Sequence, residues 1–244
     1  MKKSFLLAAV ILLSTGLLMA QADEDKVNRI PLIGEKAPSF EAASTNGTLV
    51  FPSDFGNQWK ILFAHPQDFT PVCSSELLEL ANLQKDFDKL NVKLAVISTS
   101  PLEDHKQWKK ALEEIEYKGR AATKIKFPLI DDENRKISSM YGMIHPSVSG
   151  TKSVRGVFIV DPDNVIRAVS FYPMNVGRSS EEILRSVKAL QAADAKLMTP
   201  SDWRPGDDLI IAAPPVTDQR TENVPDGYYK LAWFMWYKKA NTAN

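Results

Sequence analysis

The sequence predicts an α/β domain followed by a small C-terminal extension, and three features carry that prediction. Apolar runs of strand length alternate with stretches of helical periodicity through the first two thirds of the chain. Two further apolar runs, joined by Asp161-Pro162-Asp163-Asn164, read as an antiparallel hairpin with a striped helix after it. From Lys196 the composition changes to a proline- and aromatic-rich tail. The expected division is a leader at 1–22, a main domain at 31–195 and an extension at 196–244.

Lys2 and Lys3 precede an apolar run from Phe5 to Met19, and Ala20-Gln21-Ala22 gives the small-x-small pattern of a cleavage site. The first 22 residues read as a secretory signal, with cleavage after Ala22 and a product that is periplasmic or otherwise exported and has no membrane contact after processing. Because that segment holds two lysines and no acids, the mature charge is 28 minus 30, or about −2 with histidines neutral. Near-neutral balance argues against nucleic acid as a partner. With 44% apolar residues the chain can bury one sizeable core plus an appendage.

Gly47-Thr48-Leu49-Val50-Phe51 reads as a short strand and Trp59-Lys60-Ile61-Leu62-Phe63-Ala64 as a buried one. Behind the second, Leu77, Leu80, Leu83, Phe87 and Leu90 recur at helical spacing. Pro66 stops the strand; Pro71 suits the first helical position, and Thr70 reads as its N-cap. Val92 to Ile97 is another buried strand, ending at Ser98-Thr99-Ser100-Pro101. Glu103 to Tyr117 is amphipathic, with Trp108, Leu112 and Ile115 on one side. Phe127 to Ile130 reads as a short strand and Glu133 to Tyr141 as a helix. Val154 to Val160 and Val165 to Phe171 form the hairpin, and Ser179 to Ala195 is the closing helix, with Glu181 and Glu182 in its first turn.

Cys73 is the only cysteine in 244 residues, so no disulfide can form within the chain. Counting from Pro71, it falls in the first helical turn, among unpartnered backbone N–H groups and beside the positive end of the helix dipole, which favours a thiolate. Helical phase puts it on one face with Leu77, Leu80 and Phe87, which shields the sulfur. By spacing alone, a lone cysteine on an apolar helical face is more often a packed small hydrophobe than a catalyst.

Pro66, Thr70 and Cys73 match the Pro-x-x-x-Thr-x-x-Cys signature of peroxiredoxins, and HPQDFTPVCSSEL resembles their one-cysteine, peroxiredoxin 6-like subgroup. The resemblance runs from about Pro31 into the C-terminal Trp-rich stretch, with further matches near Arg155, Arg178 and Trp203. It implies a thioredoxin-like fold and a thiol-dependent peroxidase that reduces hydrogen peroxide and organic hydroperoxides. In that reading Cys73 is the peroxidatic nucleophile, the Thr70 hydroxyl contacts thiolate and peroxide, and Pro66 shapes the pocket. Arg155 favours the thiolate and polarises the departing oxygen. Glu76 binds and orients Arg155, and Arg178 and His65 support the site.

Each residue also has a plainer reading: an N-cap for Thr70, strand termination for Pro66, solvated charges for Arg155 and Arg178, and a helix first-turn acid for Glu76. His105 and His145 have no setting like that of His65. Three scattered histidines with one cysteine make no metal site, and no cofactor is expected. Some relatives add a phospholipase activity through Gly-Asp-Ser-Trp; here the segment is Gly56-Asn57-Gln58-Trp59, and although Asp163 matches the aspartate, that activity is expected to be absent.

With no second cysteine, the sulfenic acid left by attack on peroxide must be reduced by an external thiol or partner protein. The subgroup's extension packs on a partner subunit, which implies a homodimer. Two other readings stay open: a peroxide sensor or redox-regulated holdase using Cys73, and a thioredoxin-fold protein with an inert cysteine.

Overall fold

The computed structural model describes residues 29–193, 197–212, 224 and 226–240; the leader read at 1–22 lies outside them. The chain divides into two compact units between Arg178 and Ser179.

The first unit is a seven-stranded sheet in the order β2-β1-β5-β4-β3-β6-β7. Its strands are β1 (Phe40–Ser44), β2 (Gly47–Phe51), β3 (Trp59–His65), β4 (Val92–Ser98), β5 (Leu129–Asp131), β6 (Arg155–Val160) and β7 (Ile166–Tyr172). The helices are α1 (Pro71–Lys89), α2 (Leu102–Leu112) and the short α3 (Lys136–Met140). Strands β3, β4 and β5 run parallel, whereas β6 is antiparallel to β3 and β7 to β6. This is the mixed α/β, thioredoxin-like arrangement expected.

Every residue of β3 is buried, which explains why its sequence is a continuous apolar run rather than an alternating one. Leu62 and Ala64 join Ala95, Ile97, Ile130, Phe158 and Tyr141 in one core cluster. Ile61 and Phe63 point to the opposite face. Full burial of side chains such as Leu77, Leu80 and Phe87 on α1 contributes roughly 1.5–3 kcal/mol each, so the apolar stripe outweighs the helix's weak intrinsic preferences.

Several elements differ from the sequence reading. Strand β1 was not expected; Gly47, at φ 102, supplies the left-handed turn that folds it onto β2. Helix α2 stops at Leu112 rather than reaching Tyr117, because the Glu113 carboxylate is taken by the Ile125 N–H and by Lys124, and Ile115 is exposed. Helix α3 begins only after Arg135, whose φ of 62 is incompatible with a helical turn, and the buried Asp132 carboxylate accepts the N–H groups of Ile137 and Ser138 at its start.

The second unit contains α4 (Ser180–Ala193) and a three-stranded antiparallel sheet, β8 (Leu209–Ile211), β9 (Tyr228–Ala232) and β10 (Met235–Lys238), in the order β8-β10-β9. None of these strands was anticipated. Arg185 donates to the Trp203 carbonyl at 2.8 Å, the Trp203 indole donates to the Asp207 carbonyl at 3.1 Å, and Tyr229 stacks on Tyr237. The composition change read at Lys196 falls outside the described residues.

Candidate active site

The parallel strands deliver their carboxyl ends to one place, the usual location of a site in an open α/β sheet. His65 ends β3, Ser98 ends β4 in register with it, and Asp131 ends β5 beside Ser98. The turn after His65 carries Pro66, Asp68 and Thr70 into α1. Pro66 is buried, and its carbonyl accepts a hydrogen bond from Thr99.

Thr70 occupies the N-cap position with extended backbone, φ −113 and ψ 144, and Pro71 follows at N1. Its side chain nevertheless makes no capping bond; the hydroxyl lies 3.1 Å from the Gln67 carbonyl. That single proton is also within reach of the cysteine, where it favours the thiolate.

Cys73 is completely buried in the first turn of α1. Arg155, at the start of β6, brings Nη1 to 3.3 Å from Sγ and to 2.7 Å from Glu76 Oε2. Its Nε and Nη2 both donate to the Met174 carbonyl. The guanidinium is therefore fixed on three sides and presents one edge to the sulfur.

Arg178 is also buried, unlike the solvated charge its sequence setting suggests. Its Nε and Nη2 grip both Glu76 oxygens at 2.8 Å, its backbone N–H donates to Oε1, and its plane lies 3.4 Å from the centre of the Phe63 ring. Glu76 thus bridges two arginines. Burial opposes its negative charge, but Arg178 first and Arg155 next hold its carboxyl below the usual range.

The Cys73 thiol is lowered to about 6. Burial works against the thiolate, and His65, then the Thr70 hydroxyl and the Arg155 charge, more than offset it. His65 is wholly buried, and neither of its ring nitrogens has a hydrogen-bond partner.

Two consequences can be measured. Alkylation of Cys73 by iodoacetamide should reach half its maximal rate near pH 6, the level set by the thiolate, and fall away below it. Because the folded thiol titrates below an unfolded one, its contribution to stability is complete above the unfolded value and is lost as pH falls through about 6. Replacing Arg155 with Met should move the alkylation midpoint upward and reduce the rate with hydrogen peroxide by about 10²–10³-fold, the scale of losing one pre-positioned donor to a developing oxyanion.

The sequence reading missed Asp68 and His105. His105 is fully buried, with Nδ1 2.6 Å from Asp68 Oδ2 and Nε2 2.9 Å from the Ile130 carbonyl. The available signal was its spacing from Trp108 and Leu112, which puts a histidine on the apolar face of α2. His145 instead lies near the Gly142 carbonyl and beside Phe171. Among the described residues, no group of three or more His, Cys, Asp or Glu side chains is arranged to hold a metal.

A buried thiolate in a helix first turn, held by a fixed guanidinium and a hydroxyl on a thioredoxin-like sheet, defines a thiol-dependent peroxidase. The comparisons agree. The model of the AhpC/TSA family matches residues 33–169. A peroxiredoxin of Methanosarcina mazei is 44% identical over 215 residues, covering 86% of this chain and 98% of its own length. A solved yeast mitochondrial one-cysteine peroxiredoxin, studied for thiol resolution through glutathione and thioredoxin systems, superposes with a TM-score of 0.75 at 34% identity over 86% of this chain and 100% of that one. A cysteine-to-serine mutant of the peroxiredoxin 6 of Arenicola marina gives a TM-score of 0.75 at 33% identity over 87% of this chain and 99% of its own. The chain belongs to the AhpC/TSA family of peroxiredoxins, and its single cysteine makes it a one-cysteine, thiol-dependent peroxidase.

Proposed function

We propose that Cys73 performs a two-stage cycle on hydrogen peroxide and organic hydroperoxides. The thiolate attacks the terminal oxygen of R–O–O–H, an S–O bond forms as the O–O bond breaks, and the departing oxygen takes a proton to leave as water or an alcohol. Cys73 is oxidised to a sulfenic acid. An external thiol then attacks that sulfur and releases water, and a second thiol completes the return to Cys73. The observation that carries this reading is the 3.3 Å contact between Arg155 Nη1 and Cys73 Sγ, inside a guanidinium anchorage that Glu76 and Met174 complete. Arg155 and the Thr70 hydroxyl hold the peroxide and stabilise the leaving oxygen, Pro66 shields the site, and Glu76 with Arg178 keeps Arg155 in place.

The reductant must come from outside the chain, since no second thiol exists within it. The solved yeast relative was studied with glutathione and thioredoxin systems, which makes those two the first to supply. Steady consumption of peroxide should appear with at least one of them. Consumption of one equivalent and no more, coupled to a change in oligomer size, would instead support the sensor reading.

The protein acts as a homodimer in an exported compartment in this reading. Supporting the first are Leu231, Trp233 and Phe234, large apolar side chains exposed around the β9–β10 turn, where a second copy would cover them. Sedimentation equilibrium at micromolar concentration should return twice the chain mass. Supporting the second is the leader pattern of residues 1–22, and the N-terminal sequence of the exported protein should begin at Asp23.

A further inference from the structure

Cys73 is completely buried, so a hydroperoxide R–O–O–H brings its O–O bond to the sulfur while R stays towards the surface. The fixed guanidinium says on which side. Attack at the terminal oxygen puts the departing oxygen, the one that carries R, on the far side of the O–O bond from sulfur. Arg155 stabilises that oxygen through Nη1, which lies 3.3 Å from Sγ, while Nε of the same group donates to the Met174 carbonyl at 2.9 Å. R is therefore delivered to the segment that carries Met174.

That segment is a tight turn. The Val176 N–H donates to the Pro173 carbonyl at 3.2 Å, and between them the Met174 carbonyl faces Arg155. Just beyond, the Arg178 N–H and side chain hold Glu76, so the turn is pinned to the charges of the site at both ends. Between the pins, Gly177 lies against the first turn of α1: a Cβ built there would stand 3.4 Å from Val72 Cγ1. Val72 precedes Cys73 and Val176 precedes Gly177, so two valines flank the seam where the turn meets the helix.

Both sides of the seam are uncharged. No Asp, Glu, Lys, Arg or His occurs from Phe69 to Val72 or from Tyr172 to Gly177. Val72 is half-buried; Val176, 43% exposed, and Phe69, Pro71 and Pro173 show apolar surface to water. One exposed apolar residue means little. Five on two segments that meet one residue from a buried nucleophile make a patch with a use.

We propose that Val176, together with Val72, is the specificity-determining contact for the substituent of an organic hydroperoxide: the two valines take an apolar R out of water while Arg155 and Cys73 engage the O–O bond. The proposal rests on the peroxidase reading of Cys73 and deepens it. The chemistry is that of the cycle above: the S–O bond forms, the O–O bond breaks, and R–O takes a proton and leaves as the alcohol. The contact adds binding energy that orients R, and hydrogen peroxide, with hydrogen in place of R, has nothing to offer it.

The test exposes reduced full-length protein to an excess of cumene hydroperoxide or of hydrogen peroxide and follows the loss of the Cys73 thiol by mass spectrometry after alkylation, with no reductant present. The readout is the ratio of the two second-order rate constants, cumene hydroperoxide over hydrogen peroxide. A turn that merely aims Arg155 less well slows both reactions and cancels from the ratio. Val176→Asp should lower the ratio about tenfold, the scale at which an apolar pocket distinguishes a methylene or two. Val176→Leu, which keeps the surface apolar, should leave the ratio close to wild type. The position is exposed, so both variants should fold. A ratio in Val176→Asp equal to that of wild type would overturn the proposal, as would an equal loss in Val176→Leu, which would make the shape of the turn rather than its apolar surface the cause. Failure of both peroxides to oxidise Cys73 in the wild type would sink the peroxidase reading instead.

Discussion

Replacing Cys73 with Ser is expected to abolish peroxide reduction while leaving the fold standing. A serine hydroxyl is not ionised at neutral pH and is a far weaker nucleophile towards an O–O bond, so neither Arg155 nor Thr70 can rescue the step. The surroundings keep their own partners. Arg155 retains Glu76 at 2.7 Å and the Met174 carbonyl at 2.9 Å, and the helix retains Leu77, Leu80 and Phe87 in the core. The new hydroxyl can accept from the guanidinium edge that now faces sulfur. Peroxide consumption should fall to the level of buffer, with far-ultraviolet circular dichroism unchanged and the melting temperature close to wild type.

Glu76→Gln should have the largest effect on stability. Glu76 accepts from Arg155 once and from Arg178 three times, and all three side chains are buried. A neutral amide would leave the buried Arg178 guanidinium without its carboxylate and Arg155 with the Cys73 thiolate as its remaining counter-charge, a loss of about 3–5 kcal/mol for a buried ion pair broken on one side. Urea denaturation at pH 7 should show it as a lower midpoint with an unchanged slope. The sign with pH follows from the lowered carboxyl. Its stabilisation is present above the ordinary carboxylate range and disappears as pH falls through the folded value, so Gln and wild type should converge in acid. Peroxidase activity should fall as well, because Arg155 loses the anchor that aims it at Cys73.

The route from sequence to site was open where the information is local. Pro66, Thr70 and Pro71 mark a strand end and a helix start within six residues, and helical phase then puts Cys73 on the buried face. Arg155 was named through the family match, and the apolar run of β6 that follows it is consistent with its burial. Arg178 was named through the family match, but its burial could not be read, since that depends on Glu76 and the Phe63 ring, which approach only when the sheet forms. His105 failed for the same reason, its partners being Asp68 and the Ile130 carbonyl from two other elements. The C-terminal strands show no clean alternation of apolar and polar residues, and β1, with Glu41 between Phe40 and two alanines, has little strand character of its own. Local pattern located the nucleophile; the charges around it are products of long-range pairing.

The most direct test of Cys73 as the peroxidatic residue is a single-turnover experiment. Reduced protein is given one equivalent of hydrogen peroxide with no reductant, treated with a sulfenic-acid-selective diketone, and examined by mass spectrometry. The peroxide should disappear, the diketone adduct should map to Cys73, and thiol added before the trap should restore the unmodified mass. Peroxide that persists, or that disappears equally fast with Cys73→Ser and leaves Cys73 unmodified in the wild type, would contradict the account.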